Sequence, residues 1–342
     1  MRQIRVLVVE DSLVFRELLV QALNADPAIT VVAAARDAYE ARDAIIEYRP
    51  DVMTLDIELP KMSGIEFLRK LMPQYPLPVV VISALSDKVF DALNAGAVDF
   101  AAKPANATRA QLDAFVKNEL PVKIKIASVA KVSDWKKKIV QPGGGPPVRN
   151  TQNRIIAIGA STGGTEAIAE VLNGFGVDIP GVVIVQHMPP GFTTMYANRL
   201  NNQCRVAVKE AKSGDVVQPG QVLIAPGGDA HMQLVQMNGS YQVVLRNGAK
   251  VNGHCPAVDV LFQSVASVAG KNAIGILLTG MGSDGAKGLL AMRDAGARTI
   301  GQEESSCVVY GMPKVAYELG AVEYQEKLSD IAKRTYSILN TR

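Results

Sequence analysis

Short apolar runs alternate with amphipathic stretches along almost the whole chain. In the first 120 residues the runs Ile4 to Val9, Ile29 to Ala35, Val52 to Leu55, Val79 to Ser83 and Asp99 to Ala102 read as strands. Between them, apolar positions recur at helical spacing over Leu13 to Asn24, Ala38 to Tyr48, Gly64 to Met72, Val89 to Ala95 and about Arg109 to Leu120. Five strands alternating with five helices predict a parallel sheet covered on both faces. The alternation resumes near Arg154, with buried-strand runs at Ile155 to Ile158, Val182 to Val185 and Ile274 to Leu278. The stretch Arg205 to Val251 is richer in turns, and Leu234 to Gln236 and Tyr241 to Leu245 flank an Asn238-Gly239 pair, a hairpin signal. The second half is therefore expected to be a doubly wound, mostly parallel α/β sheet with an antiparallel hairpin insertion.

Residues 121 to 150 break this rhythm. They hold six lysines and one arginine against a single aspartate, then Pro142-Gly143-Gly144-Gly145-Pro146-Pro147, the composition of an interdomain linker. The expected division is a first domain over 1–120, a linker over 121–150 and a second domain over 151–342. Trp135, the single tryptophan, is the linker's one anchor residue, and Lys136 to Lys138 read as a solvated run or a docking patch. The net charge of +3 is concentrated in this segment, so neither domain presents a basic face for nucleic acid.

No apolar stretch approaches the roughly 20 residues that span a bilayer, and the start lacks a signal peptide's apolar core. Direct membrane insertion is not expected. Three widely spaced cysteines, Cys204, Cys255 and Cys307, fit a reducing cytoplasm, and three histidines are too few for a His-rich metal centre.

Three chemistry-bearing residues follow the second domain's buried strands: Ser161, His187 and Asp284. The carboxyl ends of parallel strands share one edge, where ligands bind. A hydroxyl, an imidazole and a carboxylate at one edge are the parts of a serine-hydrolase relay. Ser161 lies in Gly159-Ala160-Ser161-Thr162-Gly163-Gly164, at a strand-to-helix turn whose amides can stabilise an oxyanion. Two simpler readings stay open: a phosphate cradle at the glycine-rich loop, and a helix cap at Asp284. His231 and His254 read as structural or substrate-side groups.

The first domain carries its own cluster at strand ends: Glu10 and Asp11, Asp56, Ser83, and Lys103-Pro104. Grouped carboxylates suit a hard cation such as Mg²⁺, and Lys103 and Ser83 suit a phosphorylated Asp56. With Pro60-x-x-x-Gly64, these positions resemble a two-component receiver domain. That resemblance implies a flavodoxin-like (βα)5 fold, Asp56 as phosphoacceptor, Glu10, Asp11 and Asp56 as Mg²⁺ ligands, and Phe100 with Ser83 and Lys103 as switch residues. A histidine kinase of a chemotaxis pathway is the implied phosphodonor. Glu10 stands where the family more often has aspartate.

Beyond it, Ile158 to Gly164, Gln186-His187-Met188-Pro189, Leu278-Thr279-Gly280-Met281-Gly282-x-Asp284-Gly285 and Tyr310-Gly311-Met312-Pro313 resemble the catalytic domain of the chemotaxis protein-glutamate methylesterases. This implies a cytoplasmic, phosphorylation-activated enzyme that hydrolyses glutamate γ-methyl esters on methylated chemoreceptors, releasing methanol, and in some members deamidates receptor glutamines. Ser161 is then the nucleophile, His187 the base and Asp284 its orienting acid. Amides near Thr162 and Met281 contact the oxyanion or substrate, and the ester chemistry needs no cofactor. Cys255 and Ala257 depart from the family's usual arginine and serine.

Overall fold

The computed structural model describes residues 2–84, 87–104, 108–132, 148, 151 and 153–341. Trp135 and Lys136 to Lys138 lie outside the described residues. The chain divides into two compact units, Met1–Lys137 and Lys138–Arg342.

The first unit is a parallel sheet of β1 (Ile4–Val9), β2 (Ile29–Ala35), β3 (Val52–Asp56), β4 (Val79–Ser83) and β5 (Asp99–Ala102) in the order β2-β1-β3-β4-β5. β3 and β4 are buried along their whole length, which is why they read as unbroken apolar runs. Ser12, Asp37 and Ser63 cap the helices that follow, accepting hydrogen bonds from first-turn amides. The strand order reverses between β1 and β3, so the crevice beyond their carboxyl ends is where this topology binds ligands.

The last helical stretch of this unit runs beyond its expected end. It comprises Arg109–Ala114, a π-helical turn Phe115–Glu119, and Leu120–Ala127. Leu120, Pro121, Ile124 and Ala127 are buried, and Lys123 and Lys125 pair with Asp99 and Asp26. Residues 121–127, read from composition as the start of the linker, are thus helical and pack on the first unit. Pro121 is in the first turn after the π segment, where the hydrogen-bond ladder is already rearranged, so its missing amide hydrogen does not end the helix.

The second unit contains a seven-stranded sheet of β6 (Ile155–Ala160), β7 (Gly181–Gln186), β8 (Ala207–Glu210), β9 (Gln221–Ile224), β12 (Ala273–Leu277), β13 (Arg298–Gln302) and β14 (Tyr324–Glu326). Its order is β14-β13-β12-β6-β7-β9-β8, and every pairing is parallel. β10 (Ala230–Met237) and β11 (Ser240–Asn247) form a separate antiparallel hairpin. Its two-residue turn is the expected Asn238-Gly239, with φ of +51° and +77°. Of the four strands in the turn-rich stretch, β10 and β11 pair antiparallel, whereas β8 and β9 extend the parallel sheet. Turn residues mark where strands stop, not the direction in which the next one runs.

The core is built from β6, β7 and β12 together with Val258, Leu261 and Phe262 of the helix Val258–Ala269 and Leu289 and Met292 of the helix Ala286–Asp294. From β6 the chain passes to β7, β8 and β9 on one side and later to β12, β13 and β14 on the other. The topological switch point therefore lies at the ends of β6 and β12, with β7 alongside.

Candidate active site and acidic site

At the end of β1 and β3, the carboxylates of Glu10, Asp11 and Asp56 have oxygens within 4.8 Å of one another. Glu10 and Asp56 are buried, whereas Asp11 is exposed. The Lys103 ammonium donates to Glu10 at 3.1 and 3.2 Å and to Asp56 at 3.2 Å, and lies 4.2 Å from the centre of the Phe15 ring. Burial first, then the charge of Asp56, pushes the Glu10 carboxyl up to about 7 against the opposing pull of Lys103. An oxygen-only donor set with this excess of negative charge fits a divalent cation such as Mg²⁺. Gly64 is there because the loop after Asp56 folds back on itself: a Cβ at this position would lie 2.2 Å from the Asp56 carbonyl oxygen. Ser83 is buried at the end of β4, the strand beside Asp56. Phe100 is buried on β5, in register with Val81, and the Lys123 ammonium lies 5.7 Å from its ring centre.

In the second unit, Ser161 follows β6, His187 follows β7, and Asp284 lies beyond β12. Backbone bonds stitch the three loops together. The Ser161 amide donates to the Thr279 carbonyl at 3.0 Å, and the His187 amide donates to the Ala160 carbonyl at 3.2 Å. The buried Gln186 side chain donates to the Ser161 carbonyl at 2.9 Å. The β12 loop approaches so closely that a Cβ on Gly280 would lie 2.7 Å from Ser161 Cβ and 2.4 Å from Met312 Sδ. This explains Gly280 and ties the Tyr310-Gly311-Met312-Pro313 segment to the site.

Above Ser161's strand, His187 Nε2 and Asp284 Oδ2 are 2.8 Å apart. A carboxylate only accepts, so Nε2 carries the ring hydrogen and Nδ1 keeps the lone pair in the neutral imidazole. Nδ1 is buried and has no hydrogen-bond partner. Asp284 is held by three further donors: the Val258 amide at 2.7 Å, the Asp259 amide at 3.1 Å and the Asn252 side chain at 3.0 Å. Burial pushes its carboxyl up, but the His187 hydrogen bond and charge, with the Asn252 and Val258 donors, outweigh burial and hold it at about 2. Asp284 is therefore an anion beside the imidazole at neutral pH. Its contacts are with another loop and another helix, not with the first turn of the helix it precedes.

Thr162 is buried, and its carbonyl accepts from the Thr279 hydroxyl at 3.0 Å; Met281 is 44% exposed. His231 is bound on both ring nitrogens, to the Ala257 amide and the Ala249 carbonyl. Burial pushes the Cys255 thiol up, which suppresses the thiolate a rival nucleophile needs. Sequence reasoning missed Asn252 and the contact of His254, whose ring stacks on that of His187. The Asn252-Gly253 pair was a turn signal that could have located them.

The family model for CheB methylesterase matches residues 156–335, and that for the response regulator receiver domain matches residues 6–114. A protein-glutamate methylesterase/protein-glutamine glutaminase of Syntrophomonas wolfei is 62% identical over 342 residues, covering 99% of both chains. The chain belongs to the CheB methylesterase family. A relative of the same description from Salmonella typhi is 45% identical, covering 98% of this chain and 96% of that one. The crystal structure of the Thermotoga maritima CheB methylesterase catalytic domain is 37% identical, with a TM-score of 0.53, and covers 54% of this chain and 98% of that one. The two families meet the chain where the two strand-end clusters lie. Among the described residues, no helix is long and apolar enough to cross a membrane.

Proposed function

We propose that this protein is a phosphorylation-activated methylesterase that removes γ-methyl esters from glutamates of chemoreceptors, with receptor glutamines as a second substrate class. The observation that carries the reading is the His187–Asp284 hydrogen bond beside Ser161's strand, with the second ring nitrogen buried and unpartnered. Residues 1–120, with the packed helix that continues to Ala127, act as the receiver and 151–342 as the esterase, joined by the segment between them. The full-length likeness to relatives named for both activities supports this assignment.

In the reaction, Ser161 attacks the ester carbonyl carbon while His187 Nδ1 takes the hydroxyl proton. Asp284 keeps Nε2 protonated and stabilises the imidazolium that forms. Amides near Thr162 and Met281 donate to the developing oxyanion. His187 returns its proton to the leaving oxygen, methanol departs, and a water activated by the same imidazole cleaves the acyl-serine. Each half-reaction restores the starting protonation, and no cofactor enters.

Asp56 accepts the phosphoryl group from the pathway's histidine kinase. Glu10, Asp11 and Asp56 would hold Mg²⁺, which when bound offsets the charge gathered around the acceptor carboxylate. On this reading Lys103 and Ser83 meet the new phosphoryl oxygens, and Phe100 relays the change. The place of action on this reading is the cytoplasm.

The test is methanol release from methylated chemoreceptor membranes in the presence of acetyl phosphate. The intact protein is expected to release methanol and Ser161→Ala to release none. Asp56→Asn is expected to lose the increment that acetyl phosphate gives. No release by intact protein that is demonstrably phosphorylated would overturn the esterase reading, and an undiminished increment in Asp56→Asn would overturn the regulatory one.

A further inference from the structure

The imidazole of His187 is held by more than its carboxylate. The ring of His254 lies parallel to it, with centroids 3.6 Å apart and planes 7° from coincidence. His254 ends a four-residue turn in which Val251 and His254 exchange both backbone hydrogen bonds, at 3.0 and 2.9 Å. The central residues, Asn252 and Gly253, have φ of +52° and +85°, a tight turn of type I′ character. The same turn reaches the acid: Asn252 Nδ2 donates to Asp284 Oδ1 at 3.0 Å and to Asp259 Oδ2 at 2.8 Å. A few residues on, the amides of Val258 and Asp259 close on Asp284 as well. One short segment, 251–259, therefore grips both members of the His187–Asp284 pair.

We propose that His254 is a positioning residue for His187, an inference that rests on the esterase reading above. A single hydrogen bond at Nε2 fixes one edge of the imidazole but leaves the ring able to tilt about the Nε2–Oδ2 line. That tilt swings Nδ1, the atom that must meet the serine hydroxyl. A flat ring stacked on the imidazole face removes the tilt, and Asn252 fixes the distance of that ring from the carboxylate. The support acts through planarity and van der Waals contact, so an aromatic hydrocarbon ring can replace it and a flexible aliphatic chain cannot. Because His254 acts through His187 and not on substrate, its loss falls on kcat and spares KM.

The experiment compares full-length parent, Ser161→Ala, His254→Ala, His254→Leu and His254→Phe by methanol release from methylated chemoreceptor membranes under acetyl phosphate, with a thermal unfolding curve for each. His254→Ala and His254→Leu are expected to lose about tenfold or more in kcat with KM held within about twofold, since small misplacements of a catalytic group are costly. His254→Phe is expected to recover most of that loss. Parental kcat in His254→Leu, or a His254→Phe no better than His254→Leu, overturns the proposal. The Leu and Phe variants, of comparable bulk, keep the comparison decisive even where the alanine variant unfolds. Methanol release by the parent and none by Ser161→Ala upholds the esterase reading whatever the His254 variants do. No release by phosphorylated parent removes that reading, and this proposal with it.

Discussion

His187 Nε2 and Asp284 Oδ2 meet at 2.8 Å although they come from strands on opposite sides of β6, the strand that delivers Ser161. The pair bridges over the nucleophile's strand, and its geometry is set by four donors converging on the two oxygens of Asp284. Replacing Asp284 by asparagine puts an NH₂ where one of these oxygens accepts two donors. The imidazole then loses its tautomer and its charge partner. Asp284→Asn is expected to lower kcat by about a thousandfold or more, by analogy of role with other triad acids. Methanol release with saturating receptor membranes checks this, and a loss below about tenfold would remove Asp284 from the relay.

The same carboxylate contributes to stability in a defined pH window. Its folded value of about 2 lies below the ordinary aspartate value of about 3.9. The folded state therefore releases this proton more readily than the unfolded chain. The contribution is fully present above about pH 4 and is lost as pH falls toward about 2, a change of about 2 kcal/mol. Denaturant unfolding between pH 5 and 2 should show the parent losing stability more steeply than Asp284→Asn. Parallel slopes would mean that the carboxylate is not held down.

Much of this was legible in advance because burial on both faces writes a parallel strand as a plain apolar run. β1, β2, β4 and β5 have the bounds read from the sequence, Ser161 and His187 stand directly after β6 and β7 because each run stops there, and Asp284 lies in the loop that follows β12. Strand direction was not legible at β8 and β9, since Pro219-Gly220 marks a turn but leaves the direction of the next strand open. Nor was the end of the last receiver helix, because Lys123 and Lys125 look like linker charge until Asp99 and Asp26 appear beside them. His254 and Asn252 were hidden for a different reason. Their roles come from contacts to residues 67 and 32 positions away, which no local pattern encodes.

Gly280 offers a test of the close packing between the β12 loop and Ser161. The added methyl of Gly280→Ala would sit 2.7 Å from Ser161 Cβ and 2.4 Å from Met312 Sδ. The methionine's thioether can bend away, but the serine's Cβ is tied to its backbone. The loop must retreat and carry Ser161 with it. The expected result is a kcat loss of about tenfold or more, with phosphorylation of Asp56 by acetyl phosphate unchanged. Parental kcat would show that the loop has slack the distances deny.

Tyr196 separates stability from chemistry at the same edge. Its ring is buried in the helix Phe192–Gln203, and its hydroxyl donates to the Thr165 carbonyl at 2.7 Å. Thr165 lies in the first turn of the helix Gly164–Asn173 that follows Ser161. Tyr196→Phe keeps the ring and its packing but leaves that buried carbonyl without this donor, a cost of about 1–3 kcal/mol. No atom of Tyr196 belongs to the His187–Asp284 pair, so kcat is expected to stay within about threefold of the parent, the change of about 0.6 kcal/mol in barrier that a slight shift of the first turn would bring. Thermal unfolding and methanol release on the same preparation check both halves. A large kcat loss without loss of stability would instead make the Thr165 turn part of the oxyanion machinery.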